Sequence, residues 1–209
     1  MDFTTAAQLL ALCQEGSVTL GEAMLRREMD LTGASREEIM ARLERSLEIM
    51  EQAAAAALAA PQKTMGGLIG GEAIALEARR EAGKAVCGPL LARSAAIAMG
   101  TLEVNASMGL IVAAPTAGSC GVLPGALLGQ AEAFGFKREA LLEGLLTASA
   151  VGYLIARNAT IAGAEGGCQA EVGTASAMAA AAVTGLHGGS PEQCLWAAGT
   201  ALVNLMGLV

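Results

Sequence analysis

The stretch SREEIMARLERSLEIMEQAAAAALAAP, residues 35–61, decides the fold class. Ser35 stands three residues ahead of Glu38, the spacing at which each side chain reaches the other's backbone N–H at the start of a helix. Ile39, Leu43, Leu47 and Met50 then recur on one helical face, and Glu38 sits one turn before Arg42. Pro61 marks the end, so the helix is expected to run to about Ala59. Thr19 with Glu22 repeats the start signal. Ser190, Pro191 and Gln193 repeat it again, with proline at the first helical position, where its missing N–H is not needed. No segment alternates apolar and polar residues with β-branched enrichment, so the chain is read as all-α, a compact multi-helix domain.

Directly after this helix, APQKTMGGLIGGE (60–72) has the glycine content of a mobile linker or lid. Ten charged residues follow Gly100, out of 13 basic and 20 acidic in all. The expected organisation is therefore amphipathic helices over 1–60, a linker or lid over 61–72, and a core of buried Gly/Ala-rich helices over 73–209, the whole forming one domain.

Composition removes several function classes. A net charge of −7, three lysines and 2% aromatic residues leave neither a basic patch nor a stacking platform, so nucleic acid is not an expected partner. The five cysteines are far apart, no CxxC occurs, and no secretory leader is recognisable, which together point to a reducing cytoplasm. Val104–Ala131 is uncharged and long enough to cross a bilayer. It also contains Pro115, Pro124 and several glycines and is rich in alanine, so a membrane-embedded bundle stands as an alternative to a tightly packed soluble α-protein, and no membrane partner is expected.

Two stretches interrupt the helices. In APTAGSCGVLPG (114–125), Pro115 and Pro124 are expected to stop helices on either side, Gly118 and Gly121 permit positive φ, and Thr116 and Ser119 supply hydroxyls. Such a turn either cradles a carboxylate or phosphate, or is a helix connection whose hydroxyls merely cap. In AGAEGGCQAEVG (162–173), a helix ending near Asn158 gives way to one starting near Gly167, with Cys168 in its first turn. The helix dipole there would favour a thiolate able to ligate metal or attack substrate; the competing reading is a small core residue. Glu165 and Glu171 either support such a site or are drawn to a helix N-terminus. Lys84, in EAGKAVCGPL, admits a pyridoxal phosphate Schiff base with GSCG as phosphate cup, or a solvated helix end. His187, the sole histidine, precedes GGSPEQ and reads as an exposed loop residue.

NASMGLIVAAPTAGSCGVLPG (105–125) and IAGAEGGCQAEVG (161–173), with the lead-in TGASREEIMARLERSLEIMEQA and the closing SPEQCLWAAGTALVNLMGLV, resemble the α chain of the bacterial iron-sulfur-dependent L-serine dehydratases, from about Asp30 to Val209. The resemblance implies an all-helical catalytic part that deaminates L-serine to pyruvate and ammonia. It implies a [4Fe-4S] cluster held by three cysteines, with no pyridoxal phosphate, and it makes Cys168 the first cluster ligand. Cys120 is not counted as a ligand. Thr116, Gly118 and Ser119 are placed at the substrate carboxylate, with Asn105 and Ser107 near by and Glu165 behind the site or at the substrate amine. A β chain is the implied partner, in a homo- or hetero-oligomer. The family pattern carries its other two cysteine ligands beyond the position of Val209, so these 209 residues are expected to lack an intact cluster and to be inactive alone. A non-catalytic helical scaffold is the remaining alternative, with little use for the two broken, Gly-rich turns.

Overall fold

The computed structural model describes residues 2–205; the Met206–Val209 end of the closing motif lies outside them. The described residues form helices and no strand: α1 (Ala6–Gly16), α2 (Leu20–Thr32), α3 (Arg36–Ala59), α4 (Glu72–Glu81), α5 (Pro89–Ala106), α6 (Val122–Phe134), α7 (Arg138–Asn158), α8 (Gly163–Leu186) and α9 (Pro191–Leu205). They divide into two compact units, one built from residues up to Arg45 and from Lys137 onward, the other from Ser46–Phe136.

All three predicted helix starts form. Ser35 N donates to the Glu38 carboxylate at 2.9 Å while Glu38 N donates to Ser35 Oγ at 3.2 Å. Thr19 Oγ1 accepts from Glu22 N at 3.0 Å. Ser190 and Gln193 exchange the same pair of bonds at 2.8 and 3.2 Å. Thr5 with Gln8 forms a further reciprocal capping box at the start of α1, a start the sequence reading does not include.

In the first unit α8 lies between α7 and α9, and α2 packs on α7. Phe3 is buried edge-on against Tyr153, with ring centroids 5.4 Å apart, and the Arg27 guanidinium stacks 3.8 Å over the tyrosine ring. Gly21 brings α2 close to α7, since a Cβ there would lie 2.4 Å from a Glu143 oxygen. Glu143 is half-buried and accepts from the Thr19 hydroxyl. Burial, reinforced by the nearby Glu22 carboxylate, raises its carboxyl above the ordinary 4.5, with the Thr19 bond opposing. A raised carboxyl binds its proton more tightly in the folded chain, so folding stability falls as pH rises from that ordinary value through the folded one. Glu143→Gln is expected to flatten this loss and raise stability at neutral pH, read from urea midpoints between about pH 4 and 7.

In the second unit α5 is central, packed by α4 and α6. Of the predicted face of α3, Leu47 and Met50 are buried and Ile39 and Leu43 half-buried, and Ala53, Ala54 and Ala57 continue the buried side. Small residues set the spacing: a Cβ on Gly100 would come within 2.7 Å of Ala57 Cβ and 3.3 Å of Ala73 Cβ. An alanine core removes little apolar area per residue, so its cohesion comes from close backbone approach and dense dispersion contacts. Arg93 adds a polar brace, donating to Glu77 at 2.7 Å and to both oxygens of Glu132 at 2.6 and 2.8 Å.

The uncharged run Val104–Ala131 is not one helix, because α5 ends at Ala106 and α6 begins at Val122. Among the described residues α7 is the one helix long and apolar enough to cross a membrane, and 61% of that window is buried within the protein.

Candidate functional site

The residues singled out in sequence fall into two groups. Asn105, Ser107, Thr116, Gly118 and Ser119 belong to the second unit, Glu165 and Cys168 to the first.

The first group gathers where α5 stops. Ser107 Oγ donates back to the Glu103 carbonyl at 2.8 Å, and Gly109 N donates to the Val104 carbonyl at 2.9 Å, which closes the last turn. Asn105 Nδ2 reaches across twelve residues to the Ala117 carbonyl at 3.0 Å, binding the following loop to the helix end. Thr116 and Ser119 hydroxyls lie 3.3 Å apart, and Ser119 Oγ also donates toward the Ala114 and Thr116 carbonyls at 3.4 Å. Ser119 is buried, Thr116 half-buried and Gly118 exposed. Ser119 therefore staples the loop from inside, while Thr116 and Gly118 form its accessible edge.

Three expectations for this loop are corrected. Pro124 does not stop a helix; it is the third residue of α6, where its absent N–H is one of those a helix start leaves free anyway. Gly118 and Gly121 do not use positive φ, which occurs instead at Met108 (φ 62). Gly121 is required by proximity: a Cβ there would sit 2.2 Å from the Ala98 carbonyl oxygen. With Gly125 and Gly129, whose Cβ atoms would meet Ser94 and Ala98, it forms a stripe that lays α6 directly on α5.

In the second group the Thr160 hydroxyl donates to Glu165 at 2.7 Å and Thr160 Oγ1 accepts from Ala162 N at 3.2 Å. α8 starts at Gly163 but breaks at Gly167, where φ 71 and ψ 176 occupy a region open essentially to glycine alone. The helix proper resumes at Cys168, as the sequence pattern suggests, and the thiol is exposed rather than in the core. Glu171 turns back toward Gly163, whose Cβ would lie 2.9 Å from its carboxylate.

The other cysteines differ. Cys13, Cys120 and Cys194 are buried and Cys87 is exposed. Burial pushes the Cys13 and Cys120 thiols up to about 11. Lys84 sits exposed in the turn after α4 instead of in an apolar setting, which removes the enclosure a Schiff-base lysine needs. His187 caps α8 at the surface as expected. The sequence pattern singled out nothing at Glu103, although one signal was present: it is the only charged residue between Arg93 and Glu132.

The family described as "Serine dehydratase alpha chain" matches residues 15–209. The "Probable L-serine dehydratase, alpha chain" of Bacillus subtilis (strain 168) is 42% identical over 207 residues, which cover 99% of this chain and 69% of that protein. The "L-serine dehydratase, alpha chain" of Peptoniphilus asaccharolyticus is 41% identical over 205 residues, 98% of this chain and 70% of that protein. "L-serine dehydratase 2" of Escherichia coli (strain K12) is 35% identical over 212 residues, 99% of this chain and 46% of that longer protein.

Proposed function

Because this chain belongs to the serine dehydratase alpha-chain family, we propose that it is the catalytic subunit of an L-serine ammonia-lyase, working with a separate partner chain. The match over residues 15–209 carries this reading. Net conversion removes the α-proton and the β-hydroxyl of serine as water; the resulting 2-aminoacrylate tautomerises to an imine, which water hydrolyses to pyruvate and ammonia.

The accessible edge of the α5–α6 connection, Thr116 and Gly118, would bind the serine carboxylate through hydroxyl and backbone donors. Asn105 and Ser107 would orient the rest of the molecule from the helix end. Glu165, held by Thr160 in the first unit, would support Cys168 there. Ser119 acts indirectly, keeping the loop in shape.

The proposed cofactor is a [4Fe-4S] cluster, and Cys168 suits one of its ligand positions: the thiol is exposed, and the break at Gly167 puts it at a helix start. The described residues do not by themselves fit a three-cysteine site, since no group of three or more His, Cys, Asp or Glu among them could hold a metal. The remaining ligands would thus come from outside these residues, and no step above is assigned to the cluster. Anaerobic reconstitution of the full gene product with iron, sulfide and its partner chain is expected to yield pyruvate from L-serine. Iron-independent turnover with a lysine adduct trapped by borohydride would replace this reading with pyridoxal phosphate chemistry.

A further inference from the structure

Glu103 lies in the last turn of α5 and is 1% exposed. Its two carboxylate oxygens accept from Gly71 N and Ala73 N, each at 2.9 Å. A buried carboxylate is costly unless compensated, and here it meets two backbone donors at the positive end of α4. That helix has no side-chain cap of its own at Gly71, whose φ of 108 disfavours the residues that would supply one. The cap comes instead from the helix turn that carries Asn105 and Ser107.

The glycine-rich segment is fastened to the same turn a second time, since Met65 N donates to the Ala106 carbonyl at 3.0 Å. Gln62 Nε2 ties its start to the Ala56 and Ala60 carbonyls at 3.1 and 2.9 Å, and the Thr64 hydroxyl closes it on the Ile69 carbonyl. Gly70 admits no side chain, because a Cβ would lie 2.4 Å from the Gln62 carbonyl oxygen. This is a folded strap that starts on the end of α3 and is tied to the end of α5 through the backbone at Met65 and at Gly71, and the side chains of Met65 and Leu68 form its apolar tip, 78% and 90% exposed. Asn105, next to the strap's anchor at Ala106, holds the Thr116–Ser119 loop through Ala117.

We propose that residues 62–71 form a wall of the serine site and that Glu103 is the positioning residue that fixes this strap against Asn105 and Ser107. The inference rests on the serine-lyase reading above. An apolar tip on a strap whose backbone is anchored next to these polar donors would exclude water from a bound amino acid, which gives Met65 and Leu68 a use for their exposure.

The test uses the reconstituted enzyme with its partner chain. In Glu103→Gln the amide nitrogen cannot accept, so Gly71 or Ala73 loses its acceptor; KM for L-serine is expected to rise about tenfold with kcat changed far less. Leu68→Ser lies outside the core and is expected to raise KM several-fold at an unchanged thermal midpoint. Tryptic cleavage after Lys63 supplies a readout independent of turnover: L-serine should slow it in the wild type and not in Glu103→Gln. Should Glu103→Gln fail to fold, Leu68→Ser and wild-type protection decide. Wild-type KM in Leu68→Ser together with no protection of Lys63 by serine overturns the inference, as does release of the partner chain by Leu68→Ser at unchanged KM, which would make the tip a docking surface. An enzyme that never converts serine overturns the lyase reading instead.

Discussion

Replacing Cys168 by serine is expected to abolish L-serine turnover, by at least about a hundredfold, and to remove iron-sulfur absorbance from the reconstituted enzyme. Loss of groups that only support metal ligands already costs 10–100-fold, and a ligand itself weighs more. The expectation separates this thiol from the other four. Cys13, Cys120 and Cys194 are buried, two of them with thiols held near 11, so they present neither access nor thiolate. Cys87 is exposed like Cys168 but precedes the Gly88 cap of α5 and so lies outside that helix, whereas Cys168 follows Gly167 and lies inside the first turn. Cys87→Ser should therefore keep both absorbance and activity. Because Cys168 is at the surface, its replacement should move the thermal midpoint very little, within about 0.5 kcal/mol of stability. Retention of both signals in Cys168→Ser would remove the cluster assignment.

The largest stability effect is expected from Gly121→Ala. The new methyl would stand 2.2 Å from the Ala98 carbonyl oxygen and 2.9 Å from its carbon, both backbone atoms of α5 that no rotamer change can move aside. Overpacking of that kind costs about 3 kcal/mol, visible as a lower urea midpoint. The damage should reach the site as well, because Gly121 follows directly on the Thr116–Ser119 loop, so KM for serine should rise with the loss of stability. Gly199→Ala is the control of opposite sign: position 199 is exposed, helical and has no atom within 4 Å of the new Cβ, so it should stabilise by up to about 1 kcal/mol. Equal effects at the two positions would show that helix propensity, rather than the α5–α6 approach, governs Gly121.

Much of the fold is written locally. The capping pairs at Ser35 and Ser190 form because a hydroxyl and an acidic or amide side chain three residues apart satisfy each other's backbone donors wherever the chain turns helical, and the Thr19 hydroxyl alone caps α2 in the same way. The break ahead of Cys168 is local for the same reason, since only glycine takes the backbone angles found at Gly167. The α5–α6 connection shows where such reading fails. Its prolines and glycines announce an interruption, but whether Gly121 serves a turn or a close approach depends on Ala98, twenty-three residues earlier. Glu103 is the strongest case: its isolation among apolar residues marks it as unusual, while its partners at Gly71 and Ala73 are 32 and 30 residues away and are backbone groups that carry no side-chain signature.

The all-α class, the capped helix starts and the helix-start position of Cys168 are set by the sequence, because each depends on atoms within one or two turns. The tertiary structure is what makes Ser119 an internal staple, leaves Cys168 and Lys84 in solvent, lays α6 directly on α5, and anchors the glycine-rich segment to one buried carboxylate. Those outcomes depend on which backbone carbonyls and N–H groups are brought within 3 Å of one another by helices distant in the chain, and backbone groups are the same at every position.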